Sequence, residues 1–140
     1  MSDLGDRCDA IEECYEYMLA YAAQGLASDE GSQSGSQVRH LLTRAAEALS
    51  SLAATYAAAV RQENLQPAER YRAFLAVLDR DAGDALAAIH LALAQPALSS
   101  QLIDNLNASI HLRALLTDLF LIDEILKLQQ QASAQASTNQ

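Results

Sequence analysis

The chain has no tryptophan, only two phenylalanines, two prolines and five glycines in 140 residues, and these scarcities already narrow the fold. Sheets built from many short strands need frequent turn residues, and no alternating β-branched run bounded by such residues occurs. Cysteine is nearly absent as well. Cys8 and Cys14 stand six positions apart, about 120° around and ~9 Å along one helix, so they cannot bond each other there. With no further cysteine, neither a disulfide framework nor a cysteine-held zinc is suggested, and a reduced, cytoplasmic setting is expected. No apolar run reaches the ~18 residues of a membrane span, and the N-terminus lacks the basic start and apolar centre of a signal peptide.

Motifs that carry chemistry are missing too. The sequence holds no Glu-x-x-His, His-x-x-x-His or Cys-x-x-Cys-His, which argues against carboxylate-bridged di-iron, haemerythrin-like and covalent haem bundles. It holds no GxSxG, no glycine-rich phosphate loop and no HExxH. No metal and no cofactor is therefore expected, and the enzyme reading leans to no. Basic patches with interleaved aromatics are absent, and the net charge of −9 disfavours nucleic-acid phosphates and anionic membrane surfaces as partners. Residues 1–30 hold eight acids and only Arg7, whereas the remaining ten acids are nearly balanced by eight bases. The acidity belongs to the first helix.

What is present is helix. Apolar residues make up 51%, with alanine and leucine dominant, a composition that favours helix strongly. Residues 3–26 repeat Leu4, Cys8, Ile11, Tyr15, Met18 and Ala22 at four-three spacing. A polar Gly/Ser-rich loop follows. A second helix is expected from Ser34 or Ser36, where Ser34-x-x-Gln37 resembles a capping box, to about Asn64. Pro67 opens a third, with Tyr71, Phe74, Leu75, Leu78, Ala82, Ala85, Ile89 and Leu93 inward, and Pro96 ends it. The fourth runs from Leu98 to Leu128, with Asn105 and Asn107 expected to disturb its first turns. Residues 129–140 show no apolar pattern and are expected to be disordered. The fold expected is all-α: one domain over 1–128, a four-helix bundle in up-down-up-down order.

The fourth helix carries two apolar stripes where a surface helix needs one. Leu112, Leu115, Leu119, Ile122 and Leu126 lie on one; Ile110, Leu121 and Leu128 lie on the other. More apolar surface is available than one bundle core can hide, so a homodimer on this helix is expected, with Leu112, Leu115, Leu119, Ile122 and Leu126 as candidate interface. Asp104, His111 and Asp118 fall at heptad spacing between the stripes, as a pH-sensitive contact or a register device. Asp9, Glu13 and Glu16 form an acidic ridge on the first helix, a candidate docking face for a basic protein, an ordinary solvated face being the plainer alternative. Tyr15, Tyr56, Tyr71 and His90 would line a pocket between helices if the protein carried a small molecule or cofactor. Taken together, the residues point to a non-catalytic, oligomeric helical protein acting by protein–protein interaction, as adaptor, assembly chaperone or inhibitor of a basic or apolar partner.

Overall fold

A computed structural model describes residues 2–138, with side-chain environments for 3–135. The described residues form six helices and no strand: α1 (Ser2–Ala23), α2 (Gln33–Leu49), α3 (Leu52–Gln62), α4 (Ala68–Leu93), α5 (Ser100–Ala108) and α6 (Ile110–Thr138). The all-α class stands; two of the four expected long helices are each split in two.

Both splits fall at serines, whose hydroxyls compete with the backbone for helical hydrogen bonds. The expected second helix breaks at Ser50–Ser51, where Ser50 Oγ donates to Glu47 O at 2.7 Å. Arg7 also donates to the carbonyls of Glu47 and Ala48 at that helix end, placing a cation where the helix dipole is negative. The expected fourth helix breaks at Ser109, not at Asn105 or Asn107. Ser109 is extended (φ −62°, ψ 144°), and its Oγ accepts from Leu112 N at 3.4 Å, so it ends α5 and caps α6. The second helix also starts earlier than its capping-box resemblance implies, because Ser32 is the N-cap and accepts from Gly35 N at 2.9 Å. Residues 129–138 are not an unstructured tail; α6 continues through Thr138, in keeping with the helix propensity of glutamine and alanine, while Asn139 and Gln140 lie outside the described residues.

One contiguous apolar cluster joins all six helices. α1 packs on α2, α3 and α5, and α4 packs on α2, α3, α5 and α6. Ala82, Ala85 and Ala92, all buried on α4, are small enough to let the neighbouring helices approach closely. α1 is buried on a wider arc than one stripe, because Ala10, Cys14 and Tyr21 join Leu4, Cys8, Ile11 and Met18 in the core. Its C-terminal end is tied to the start of α5. Ser100 N donates to Leu26 O at 2.8 Å, Leu26 N donates back to Ser100 Oγ at 2.8 Å, Ser100 Oγ donates to Tyr21 O at 2.7 Å, and Tyr21 OH donates to Leu98 O at 2.6 Å.

Gly35, in the first turn of α2, is buried beneath the backbone of Asp29, and a Cβ there would collide with the Asp29 Cα, carbonyl carbon and oxygen. Gly83, exposed on α4, has nothing within 4 Å of the same position. Opposite outcomes are expected in urea unfolding: Gly35→Ala lowers stability by on the order of 2 kcal/mol or more, because backbone must move, whereas Gly83→Ala raises it by roughly 0.5–1 kcal/mol, as helix propensity dictates. Equal effects at the two sites would refute the close approach at Gly35.

Candidate functional site

Three polar constellations lie within or against the core, each joining different helices. In the first, Asp29 takes a hydrogen bond from Arg39 Nε on Oδ2 at 2.8 Å and one from Leu98 N on Oδ1 at 2.6 Å. Arg39 then reaches the carbonyls of Leu93 at 3.1 Å and Gln95 at 3.4 Å, so a single ion pair holds the α1–α2 loop, α2 and the α4–α5 connection. Arg39 keeps the Asp29 carboxyl below the ordinary carboxylate range, aided by the Leu98 N–H and opposed by burial.

The second constellation is a chain of three side chains. Tyr56, fully buried, donates to Asp123 Oδ1 at 2.7 Å and lies 3.3 Å from Cys8 Sγ, linking α3, α6 and α1. Burial pushes the Cys8 thiol up to about 11, opposed by the Tyr56 hydroxyl and assisted by Asp123, Glu12 and Asp9. Burial and Glu13 push Cys14 up to about 12. Burial, Cys8 and Asp123 likewise raise Tyr56 above the ordinary phenol value. At neutral pH all three hold their protons, so neither thiol is a ready nucleophile.

The third is a carboxyl pair between α4 and α6. Asp118 is 8% exposed and its Oδ2 has no hydrogen-bond partner, and the charged group acting on it is Asp81 of α4. A proton kept on Asp118 removes the repulsion between two facing carboxylates and lowers the cost of burying one of them. Burial first, then Asp81, raises Asp118 to about 7.

The residues singled out by sequence are dispersed differently from expectation. Leu112, Leu115, Leu119, Ile122 and Leu126, expected to face a second copy, are all buried in the chain's own core instead. The face left outside is the other stripe, with Ile110 at 75%, Leu121 at 49% and Leu128 at 55% exposed, and Phe120 beside it at 57%. Asp104, His111 and Asp118 do not form a strip, because the break at Ser109 puts Asp104 on α5. Asp104 and His111 are exposed, and the group facing Asp118 is Asp81 rather than His111. Tyr15, Tyr56, Tyr71 and His90 line no common pocket: Tyr56 and Tyr71 are core, Tyr15 is half-buried and His90 is exposed. Tyr15 does border a cavity of about 20 Å³ among Ile11, Cys14, Met18, Ile89 and Leu115, but it is wholly apolar and too small for a ligand.

Asp9, Glu13 and Glu16 are all exposed on α1. Glu13 meets Arg44 of α2 at 3.4 Å, while Glu12 on the flank belongs to the same negative field. Burial, then Asp123, Asp9 and Glu16, raises the Glu12 carboxyl against the opposing pull of Lys127. Sequence reading missed Asp81, Asp123 and Asp29. A signal existed for the first two: Asp81 lies three after Leu78 and four before Ala85, and Asp123 four after Leu119 and three before Leu126, both at helix-face spacing.

Between the C-terminal part of α4 and α5 runs an apolar groove of about 660 Å³, walled by Leu91, Ala92, Pro96, Ala97, Leu102 and Leu106. Among the described residues no three His, Cys, Asp or Glu side chains gather to hold a metal ion, and no helix is long and apolar enough to cross a membrane. No protein-family model, curated protein or solved structure matches the chain.

The pH dependence of stability follows from these shifts with opposite signs. Asp29, lowered in the fold, contributes stability above the ordinary carboxylate range and loses it as pH falls below that range. Asp118, raised in the fold to about 7, keeps a proton the unfolded chain has released, so stability falls as pH rises from about 4 to 7, by at most about 1.4 kcal/mol per pH unit. Denaturant midpoints of wild type should therefore decline over that window, with Glu12 adding in the same sense. Asp118→Asn, which supplies a donor without a charge, should flatten the decline and be the more stable protein at pH 8. A wild-type midpoint rising from pH 5 to 8 would contradict the raised Asp118 carboxyl.

Proposed function

We propose that this protein works by association rather than catalysis, as a self-associating helical protein of the adaptor, assembly-chaperone or inhibitor class. The observation carrying this reading is the outer face of α6. Ile110, Leu121 and Leu128 lie within about 20° of one line along the helix, all about half or more exposed, on an element whose opposite face is already spent on the core. Isolated exposed leucines need no explanation, but an aligned apolar stripe on a long helix is the usual mark of a surface that pairs. The reactive-group inventory supports the same direction: both thiols sit far above neutral pH, and Tyr56 and Asp123 satisfy each other. The acidic face of Asp9, Glu12 and Glu16 would suit a basic protein partner, whose encounter it would steer at low salt.

A second reading rests on the α4–α5 groove. Its volume of about 660 Å³ falls in the range of small-molecule sites, so the carrier alternative moves from the tyrosines to this groove.

Native mass spectrometry of the purified protein decides between them. Wild type is expected to be a dimer at micromolar concentration, and Leu121→Lys a monomer with the same helix content by circular dichroism, because Leu121 lies outside the core cluster; the variant's urea midpoint should fall only by the stability that dimerisation adds to wild type. A wild type that stays monomeric at a hundredfold higher concentration defeats the association reading, and a copurifying mass released by Leu91→Glu would put the carrier reading first.

A further inference from the structure

We infer that α6 pairs with α6 of a second copy in antiparallel fashion, about a two-fold axis level with residue 119, so that Arg113 of each copy meets Glu124 of the other. This rests on the association reading above and goes beyond it by fixing partner, direction and register.

The inference comes from the pattern on the outer face. Halfway between Ile110 and Leu128 is position 119. A two-fold axis at that level sets Ile110 opposite Leu128 of the second copy and Thr117 opposite Leu121, so each large side chain of the outer stripe meets another or a small one. The stripe is thus its own complement when reversed, as an isologous contact requires. The same reversal brings Arg113 within one residue, ~1.5 Å of rise, of the level of Glu124.

Charge placement selects direction independently. At 100° per residue, Arg113 and Glu124 lie about 60° and 40° from Ile110, on the same side of the stripe. A two-fold axis perpendicular to the helices brings like flanks together, whereas a parallel pair sets each flank against the opposite one. Parallel pairing would also leave Arg113 and Glu124 about 16 Å apart in height. Flanking charges are what set partner and orientation in paired helices. Both residues are exposed, and neither joins any of the ion pairs formed within the chain among the described residues. Two such pairs form per dimer, by symmetry.

Two measurements test the register. In sedimentation equilibrium at about 50 mM salt, Arg113→Glu and Glu124→Arg should each raise the dimer Kd roughly tenfold, and the double variant should return it to within about threefold of wild type. Independently, a spin label on Ala132→Cys, reacted in the native state where Cys8 and Cys14 are buried, should report a separation of about 39 Å along the axis, against about 10 Å for a parallel pair. A wild-type dimer with no rescue and a short Ala132 distance overturns the antiparallel register while leaving association standing. A monomeric wild type overturns both.

Discussion

The fold hangs on the pair Asp29–Arg39, because it is the point where segments distant in sequence are held to one another by one hydrogen-bonded ion pair. An ion pair removed from water is weak support unless its remaining lone pairs and protons are satisfied. Here Asp29, with a side chain 9% exposed, takes the Leu98 amide on one oxygen and Arg39 on the other, and Arg39 gives one further bond from Nη1 to Leu93 O at the end of α4 and one from Nη2 to Gln95 O just beyond it. Those carbonyls are the negative end of a helix, so the guanidinium is favoured there twice over. The consequence is geometric. With Leu98 fixed, Tyr21 can reach its carbonyl and Ser100 can lock to Leu26, and α5 leaves at the angle that opens the groove against α4. Gly35 belongs to the same device, since only a residue without Cβ lets the Asp29 backbone lie on α2.

Much of this was legible in the chain. Four-three spacing located Leu4, Cys8, Ile11 and Met18, and it located Tyr71, Leu75, Leu78 and Ile89, because burial of one helix face leaves that period whatever the neighbours are. The breaks at Ser50–Ser51 and Ser109 were not legible. A serine inside an apolar pattern is tolerated in a helix as often as it ends one, and the outcome depends on whether Arg7 or another group arrives to satisfy the freed carbonyls. The same limit explains why the stripe of Leu112, Leu115, Leu119, Ile122 and Leu126 is core rather than outer face. Periodicity shows that α6 has two apolar stripes, but which of them faces the core depends on where α1 and α4 lie.

The carboxylates were misjudged for a related reason. Asp104, His111 and Asp118 share a spacing but not an environment, whereas Asp81 and Asp118 share an environment and are 37 residues apart. Sequence spacing reports neighbours on one helix only. A buried carboxyl finds its partner across a helix–helix contact, and the contact is a property of packing. His90 and the three tyrosines fail as a pocket in the same way: their inner-face positions are real for Tyr56 and Tyr71, yet they are turned into different parts of the core.

Why α6 does not rotate to bury its second stripe is answered by two of those carboxyls. Asp118 and Asp123 are five residues apart, hence about 140° around the helix, and the buried stripe of Leu115, Leu119, Ile122 and Leu126 lies between them. One faces Asp81 of α4 and the other accepts from the buried Tyr56 hydroxyl of α3. Turning α6 far enough to hide Leu121 and Leu128 would separate both pairs at once, leaving a buried hydroxyl without its acceptor at a cost of roughly 1–3 kcal/mol and exposing the core leucines in exchange. The apolar outer face is therefore a consequence of how the inner one is fastened, and among the described residues it stays exposed at Ile110, Leu121 and Leu128.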